Sequence, residues 1–201
     1  MALRRIERRK ERQKRIVMAV IVAFLMVMSG FGVYLSGQGA RQESVKEYGE
    51  VFTVDRQSRT YTSDLTGQPQ PYYFLPSSVE QHALPSSDLS LLRDARALVF
   101  TFDPTASRQQ LGAISELRLD LSSMLGKPTI NAVTKNTTSY SLPVVTCANA
   151  TSQVPVVSFE VADEPSLALD DACLHVQGNG TSFYEMRDAL VYSYHDVYGS
   201  S

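Results

Sequence analysis

Two cysteines, Cys147 and Cys173, are the side chains with the most chemistry to offer, and they stand 26 residues apart. Zinc sites usually place paired cysteines about two to four residues apart, so this spacing does not predict a metal site. An even pair outside the cytosol is normally joined, and closing such a loop stabilises a fold by roughly 3 kcal/mol. We expect a structural disulfide, with a redox-active pair or free thiols as the alternatives.

The three histidines do not form a recognisable catalytic or metal-binding motif. His82 lies in a predicted loop, His175 in a predicted strand and His195 near the end of the last predicted helix. Zinc and non-haem iron sites need three or more converging ligands, and neither H-x-x-x-H nor H-E-x-x-H occurs. The serine-hydrolase motif G-x-S-x-G and the glycine-rich nucleotide-binding motifs are also absent. No motif therefore predicts a metal, a cofactor or a small-molecule ligand.

Among the carboxylates, Asp103 is the strongest single candidate for a site residue. It follows a predicted strand, and carboxylates at the ends of strands often line clefts in α/β sheets. It also precedes Pro104 and a predicted helix, and an N-cap role, which we favour, explains it completely. A hydrolase that used Asp103 would need a histidine within about 3 Å. A second group of carboxylates lies in an acidic loop over 162–171 that lacks EF-hand spacing and is expected to be solvated. Its members are Asp163, Glu164, Asp170 and Asp171.

The net charge of −2 hides an asymmetry between the N-terminus and the rest of the chain. Residues 1–15 carry eight Lys/Arg and two Glu, a net +6, whereas the remaining 186 residues hold 11 basic and 19 acidic side chains. This distribution excludes a general nucleic-acid-binding surface beyond residue 15. We interpret 1–15 as a basic tail that sets membrane topology, with contact to anionic lipid or nucleic acid as the alternative.

The segment 16–35 has the composition of a membrane-spanning helix. It contains 20 consecutive uncharged residues, of which 17 are apolar. Such a helix is about 30 Å long, the thickness of a bilayer core. The positive charges on its N-terminal side predict a cytoplasmic N-terminus. We therefore predict an uncleaved signal anchor that contacts the lipid bilayer, with a cleaved signal peptide as the alternative.

The rest of the chain is then an extracytoplasmic domain. Besides the cysteine pair, its excess of acidic residues is typical of exported domains. Three N-x-Ser/Thr sequons, at Asn136, Asn149 and Asn179, lie in loop-like stretches where a glycan fits. They predict a glycoprotein from an archaeal or eukaryotic cell. The predicted organisation is a cytoplasmic tail over 1–15, a span over 16–35, a linker over 36–47 and one domain over 48–201.

The elements that would position these side chains follow an α/β pattern. A small β-meander is predicted first, then a short helix near Asp88–Arg93. A buried strand, a helix from about Thr105 to Leu125 and a second strand come next, and a terminal helix begins at an apparent capping box, Ser182–Glu185. The predicted strands are Glu50–Val54, Ser58–Thr62, Pro71–Leu75, Ala97–Phe102, Thr129–Val133, Leu142–Cys147, Val154–Val161 and Ala172–Gln177. We expect a mixed sheet of about four to six strands with two long helices, preceded by the meander.

Several short stretches together resemble a family of uncharacterised single-span membrane proteins of archaea. They are YYFLP at 72–76, FTFDP at 100–104, VTCANAT at 145–151 and RDAL at 187–190. This resemblance implies an archaeal cell membrane and brings no activity. The order of elements, with Val154-Pro155 opening a strand, is also similar to the thioredoxin fold. That resemblance implies a cis-proline at this strand and a C-x-x-C at the first helix, yet the corresponding segment 103–107 contains no cysteine.

The leading functional hypothesis is a membrane-anchored, extracytoplasmic, non-enzymatic module for protein interaction or assembly at the cell surface. Its protein partners are not identified by the sequence. The alternative is an envelope thioredoxin-like redox or chaperone protein that uses Cys147 and Cys173. A hydrolase based on Asp103 is the third hypothesis.

Overall fold

A computed structural model describes Met18, residues 20–27 and residues 43–199. The chain divides into two units, Met1–Glu43 and Ser44–Ser201. In the first unit Met18 and residues 20–27 are helical, and the rest of the predicted span over 16–35 lies outside the described residues. The predicted tail over 1–15 also lies outside them. Among the helices that are described, none combines the length and the apolar character needed to cross a membrane.

The second unit begins with the predicted meander, a four-stranded antiparallel sheet in the order β1-β2-β3-β4. Its first turn, Tyr48-Gly49, has positive φ at both residues, as a tight two-residue hairpin turn requires. Strand β1 occupies residues that the sequence assigned to the linker over 36–47. The strands are β1 (Ser44–Glu47), β2 (Glu50–Asp55), β3 (Thr60–Ser63) and β4 (Gln70–Tyr72).

The predicted mixed sheet has five strands in the order β6-β5-β7-β9-β8. The first four in this order are parallel, and β8 pairs antiparallel with β9. Strand β8 lies in the segment that was predicted to be an acidic loop. The strands are β5 (Leu98–Phe102), β6 (Thr129–Val133), β7 (Val156–Val161), β8 (Ser166–Asp170) and β9 (Cys173–Gly178).

The predicted strand Leu142–Cys147 is wrong. Only one isolated parallel bridge, between Val133 and Val144, remains of it. Pro143 has no amide hydrogen to give to a ladder, and its carbonyl accepts from the Val133 amide at 3.0 Å. Residues 134–155, which we call the covering loop, therefore run beside the sheet without joining it as a regular strand.

Two long helices and two short ones complete the fold: α1 (Pro76–Val79), α2 (Ser86–Asp94), α3 (Arg108–Met124) and α4 (Ser182–Tyr194). Both predicted caps of the long helices are wrong. Helix α3 is capped by Ser107, which exchanges hydrogen bonds with Gln110 in a capping box, and not by Asp103. Helix α4 follows Thr181, whose side chain makes no capping hydrogen bond.

The two faces of the mixed sheet are covered differently. Alternate strand residues such as Phe100, Phe159 and Leu174 face α3 and α4 and belong to the main core. On the opposite face, as far as the described residues show, a small apolar cluster packs against the covering loop, including Cys147. The cluster consists of Val99, Ala132, Val156 and Cys173, with Val145, Cys147, Ala150 and Val154 packed against it. Parallel sheets are usually covered on both faces by helices, so the loop here replaces a helical layer.

Helix α4 joins the meander to the main core. The Asp188 carboxylate accepts the backbone amides of Tyr73 at 2.7 Å and Phe74 at 2.9 Å. The Arg187 guanidinium donates to the Pro71 carbonyl at 3.0 Å and also pairs with Asp188. These bonds satisfy the backbone of the chain as it leaves β4, and they explain how two charged residues are buried in this helix.

Candidate functional site at the loop-covered face

The two cysteines form a disulfide, as predicted. Cys173 is the first residue of β9 and is buried, whereas Cys147 begins a single 3-10 turn in the covering loop and is half-buried. The bond therefore attaches the middle of the loop to the open face of the sheet. Cys147 is therefore the more exposed residue of the pair.

A histidine lies directly beside this disulfide. His175 is two residues after Cys173 in β9, and the alternation of a strand places both side chains on the same face. Its Nε2 atom is 3.6 Å from Cys147 Sγ, and its Nδ1 atom is 2.6 Å from Glu160 Oε1. The register of β7 against β9 pairs Ser158 with His175, so Glu160, two residues further, reaches the ring.

Glu160 is held in place by further hydrogen bonds. Its second oxygen accepts from Gln177 Nε2 at 3.0 Å, and Gln177 Oε1 accepts from the Ser166 hydroxyl at 2.7 Å. Burial alone would raise the pKa of Glu160, but the hydrogen bonds from Gln177 and His175 outweigh it and hold that pKa below its ordinary value. Glu160 is therefore ionised at neutral pH and fixes the orientation of the imidazole.

This arrangement can activate a thiol. An ionised Glu160 assigns the proton of the neutral ring to Nδ1, which leaves the lone pair of Nε2 directed at Cys147 Sγ. When the disulfide is opened, the Cys147 thiol can pass its proton to His175 and become a thiolate beside an imidazolium. Cys147, His175 and Glu160 thus lie in the order that a nucleophile, a base and an orienting carboxylate would require, with the sulfur held in the disulfide.

A cavity of about 410 Å³ lies at the carboxyl ends of the parallel strands. The chain leaves β5 through α3 to reach β6 on one side, and β7 lies on the other side, so the strand order reverses here. Ligands of open α/β sheets bind at such points. The lining residues include Asp103, Gln110, Thr134, Ser158 and Glu160. Glu160 thus belongs both to this cavity and to the histidine pair.

Asp103 lines this cavity but has no histidine beside it. Its carboxylate accepts from the Thr105 amide at 2.8 Å and pairs with Lys135 at 3.0 Å. Burial tends to raise the pKa of Asp103, yet the hydrogen bonds from Thr105 and Lys135 outweigh it and lower that pKa. None of the three histidines hydrogen-bonds to Asp103. The hydrolase hypothesis therefore lacks its base.

The other two histidines make hydrogen bonds elsewhere in the fold. His82 Nε2 is 3.1 Å from Glu185 Oε1, and His195 at the end of α4 lies 3.2 Å from the Met124 carbonyl. In the described part of the chain, one group brings three potential metal-ligand atoms within 4.8 Å of one another, and it is Cys147, Cys173 and His175. The acidic residues around β8 are not brought together in this way.

The sequence analysis missed His175 and Glu160. A signal was present, because Cys173-x-His175 in a strand places a thiol and an imidazole on one face. The position of Cys147 beside the ring depends on the path of the covering loop, which no local pattern predicts. The three sequon asparagines, Asn136, Asn149 and Asn179, are all exposed, and their glycosylation stays a prediction.

Comparison of the chain with protein-family models, with curated proteins and with solved structures finds no match. The resemblance to archaeal single-span proteins and to the thioredoxin fold therefore stays a prediction. Among the described residues every peptide bond is trans, so the cis-proline implied by the thioredoxin resemblance does not occur at Val154-Pro155.

Proposed function

We propose that the domain carries out thiol–disulfide exchange, with Cys147 as the reactive sulfur and Cys173 as its resolving partner. One observation carries this proposal: the Nε2 atom of His175 lies 3.6 Å from Cys147 Sγ while Glu160 holds the other side of the ring. A disulfide that serves only as a staple needs neither a base at its sulfur nor a carboxylate behind that base.

Electrons and protons balance in this exchange with a substrate dithiol as the one reactant besides the protein. A substrate thiolate attacks Cys147 Sγ, a mixed disulfide forms and Cys173 leaves as a thiolate. The second substrate thiolate then attacks the substrate sulfur of the mixed disulfide and expels Cys147. Two electrons pass to the protein, two protons finish on its thiols, and the substrate leaves as a disulfide. His175 stabilises the Cys147 thiolate at the second step.

The difference in burial between the two sulfurs supports this order of events. Cys173 is 2% exposed, so a substrate cannot easily reach it, whereas Cys147 is half-buried in a surface turn. Reactive cysteines are typically accessible and lie near a positive charge, and resolving cysteines are less accessible. In the reverse direction, the Cys147 thiolate attacks a substrate disulfide and Cys173 releases the product.

We further propose that this chemistry takes place outside the cytoplasm on a membrane-anchored protein. The support is the uncharged run over 16–35, the basic residues before it and a disulfide, which persists mainly in oxidising compartments. Exposed sequons at Asn136, Asn149 and Asn179 are consistent with that side of the membrane. Carbonate extraction of cell membranes tests the anchor, and protease accessibility of intact cells tests the side.

The exchange proposal is tested by alkylation of the reduced full-length chain. We expect iodoacetamide to modify Cys147 at about pH 6 roughly tenfold faster in the wild type than in His175→Ala, because the imidazole creates the thiolate. His82→Ala is the matched control, since His82 also pairs with a glutamate but lies away from sulfur. Equal rates in the wild type and His175→Ala would overturn the proposal, as would a disulfide that is reduced only after global unfolding.

A second candidate is the non-enzymatic interaction module. It is favoured by two exposed apolar residues at an edge of the sheet, Ile130 in edge strand β6 at 49% exposure and Val144 in the covering loop at 45%. An unpaired strand edge with apolar side chains can pair with another chain. Cross-linking followed by mass spectrometry should then recover one partner that is lost in Ile130→Lys. Recovery that does not depend on Ile130 argues against this candidate.

A further inference from the structure

We infer that the reduced site binds a thiophilic d10 metal ion, Zn²⁺ or Cu⁺, through Cys147, Cys173 and His175. The inference rests on the proposed function only in that the disulfide must open to free the two thiolates. The three ligand atoms already lie within 4.8 Å of one another, on the second face of the sheet. Thiolate and imidazole are the donors that these ions prefer.

One ligand–ligand distance already has the value that coordination requires. For an ion bound tetrahedrally at about 2.3 Å to sulfur and about 2.0 Å to nitrogen, the two donor atoms are about 3.5 Å apart. Cys147 Sγ and His175 Nε2 are 3.6 Å apart. Once the sulfur–sulfur bond is broken, a small displacement of the turn that carries Cys147 lets the second sulfur reach the same ion.

The surroundings of His175 supply an independent sign of a metal ligand. A histidine that binds a metal through one ring nitrogen usually donates its other N–H to a carboxylate, which fixes the tautomer and makes the ring more basic. Glu160 accepts from Nδ1 at 2.6 Å, and Gln177 in turn holds Glu160. The Nε2 lone pair is thereby directed toward the sulfurs before any metal arrives.

The site offers three protein ligands and leaves a further position open. Among the residues that the structure describes, no fourth Cys, His, Asp or Glu atom joins the group. Two cysteines and one histidine with an exchangeable fourth ligand form the zinc set typical of catalytic rather than structural sites. Cu⁺ is satisfied by the three ligands alone. Binding of either ion displaces the thiol protons. A substrate disulfide that oxidises the pair, as in the reverse direction of the proposed exchange, takes up the two electrons and releases the metal.

The test uses the full-length chain in detergent, reduced with a phosphine and freed of metal. Titration with Co²⁺, a spectroscopic substitute for Zn²⁺, should give thiolate-to-cobalt charge-transfer absorption that saturates at one ion per chain. Added Zn²⁺ should abolish this absorption. The oxidised protein should show none of it. Competition with a Cu⁺ chelator measures the second ion, and tight binding of either one supports the inference.

The variants separate coordination from folding. His175→Ala should weaken Co²⁺ binding at least about 100-fold, and Glu160→Gln about 10- to 100-fold, with unchanged far-ultraviolet circular dichroism. His82→Ala should bind as the wild type does. Reduced wild type that binds neither Co²⁺ nor Cu⁺ more tightly than the Cys147→Ser/Cys173→Ser double variant would overturn the inference, and so would binding insensitive to His175→Ala. Neither result alters the alkylation rates, which test the proposed exchange separately.

Discussion

Asp188 is a buried carboxylate that four donors surround. Two backbone amides approach one of its oxygens, and the Nε and Nη2 atoms of Arg187 approach the other. Burial raises the pKa of Asp188 to about 6, because the loss of hydration outweighs the attraction of Arg187 and the hydrogen bonds. The protonation state of Asp188 therefore affects how strongly helix α4 holds the meander.

The raised pKa of Asp188 predicts a specific pH dependence of stability. Between about pH 4 and pH 6 the folded protein keeps a proton that the unfolded chain has lost, so this residue lowers stability as pH rises through that interval. We compare the free energy of unfolding of the wild type with that of Asp188→Asn at each pH. The wild-type value minus the variant value should fall by about 2 to 3 kcal/mol between pH 4 and pH 6. Urea unfolding at several pH values measures this difference.

Asp94→Asn, which changes an exposed aspartate, is the control and should show no such trend. A constant difference between wild type and Asp188→Asn over the whole interval would contradict the assigned titration.

At the scale of elements, helix α3 begins at a capping box formed by Ser107 and Gln110. The Ser107 hydroxyl accepts the Gln110 amide at 3.3 Å, and the Gln110 side chain accepts the Ser107 amide at 2.9 Å. Pro104 and Thr105 instead form a turn closed by Asp103. The helix therefore starts four residues after the position that its Asp-Pro sequence favours, and the cavity at the strand ends occupies the space that this turn leaves.

Removing this cap should cost a predictable amount of stability. Ser107→Ala is expected to lower the free energy of unfolding by about 1 kcal/mol, because it leaves a helix amide without its acceptor. Ser115→Ala, an exposed serine inside the same helix, should leave stability unchanged or raise it slightly. Equal effects of the two substitutions, in thermal or chemical unfolding of the oxidised protein, would show that Ser107 does not cap the helix.

At the scale of the whole molecule, the meander and the mixed sheet share one core. Phe52 of β2 packs edge-on against Tyr72 of β4 and Tyr192 of α4, with ring centroids 6.1 and 5.9 Å apart. All three rings are fully buried. The small sheet thus has no separate core of its own, and its apolar side depends on the last helix.

A single substitution in this aromatic cluster should weaken the entire domain. Phe52→Ala is expected to lower the free energy of unfolding by about 3 to 5 kcal/mol while unfolding remains one transition. Far- and near-ultraviolet circular dichroism should give the same midpoint. Two separate transitions, with the meander melting first, would mean that the two sheets fold independently.

The sequence predicts the architecture better than the edges of its elements. Apolar runs and turn residues identify the meander, the parallel strands and both long helices, because burial on both sides leaves a strong pattern. Strand β8 was not predicted, because its acidic neighbours hide the alternating pattern in which Leu167 and Leu169 pack against the core. The segment before Cys147 shows the opposite error: it was predicted to be a strand, but its apolar residues cover the sheet and do not join it as a regular strand.

The candidate site is predicted only in part for a similar reason. Pairing of the two cysteines follows from their number and from the predicted compartment. The approach of His175 to Cys147 depends on strand register and on the path of a 22-residue connection between β6 and β7, neither of which is encoded locally. Glu160 is recognisable as a partner only once the register places it across from Gln177.

The covering loop has a consequence for the lifetime of the protein. Apart from the disulfide, the contacts that attach it to the sheet include the hydrogen bonds of Val145 to Val133 and of Thr101 to Val145. Reduction removes the covalent link of this connection to the sheet, so the loop then covers apolar strand residues such as Val99 and Val156 through noncovalent contacts alone. We therefore expect a protease to cleave this extended segment faster in the reduced, metal-free protein than in the oxidised protein, so that the abundance of the protein would follow the redox state around it.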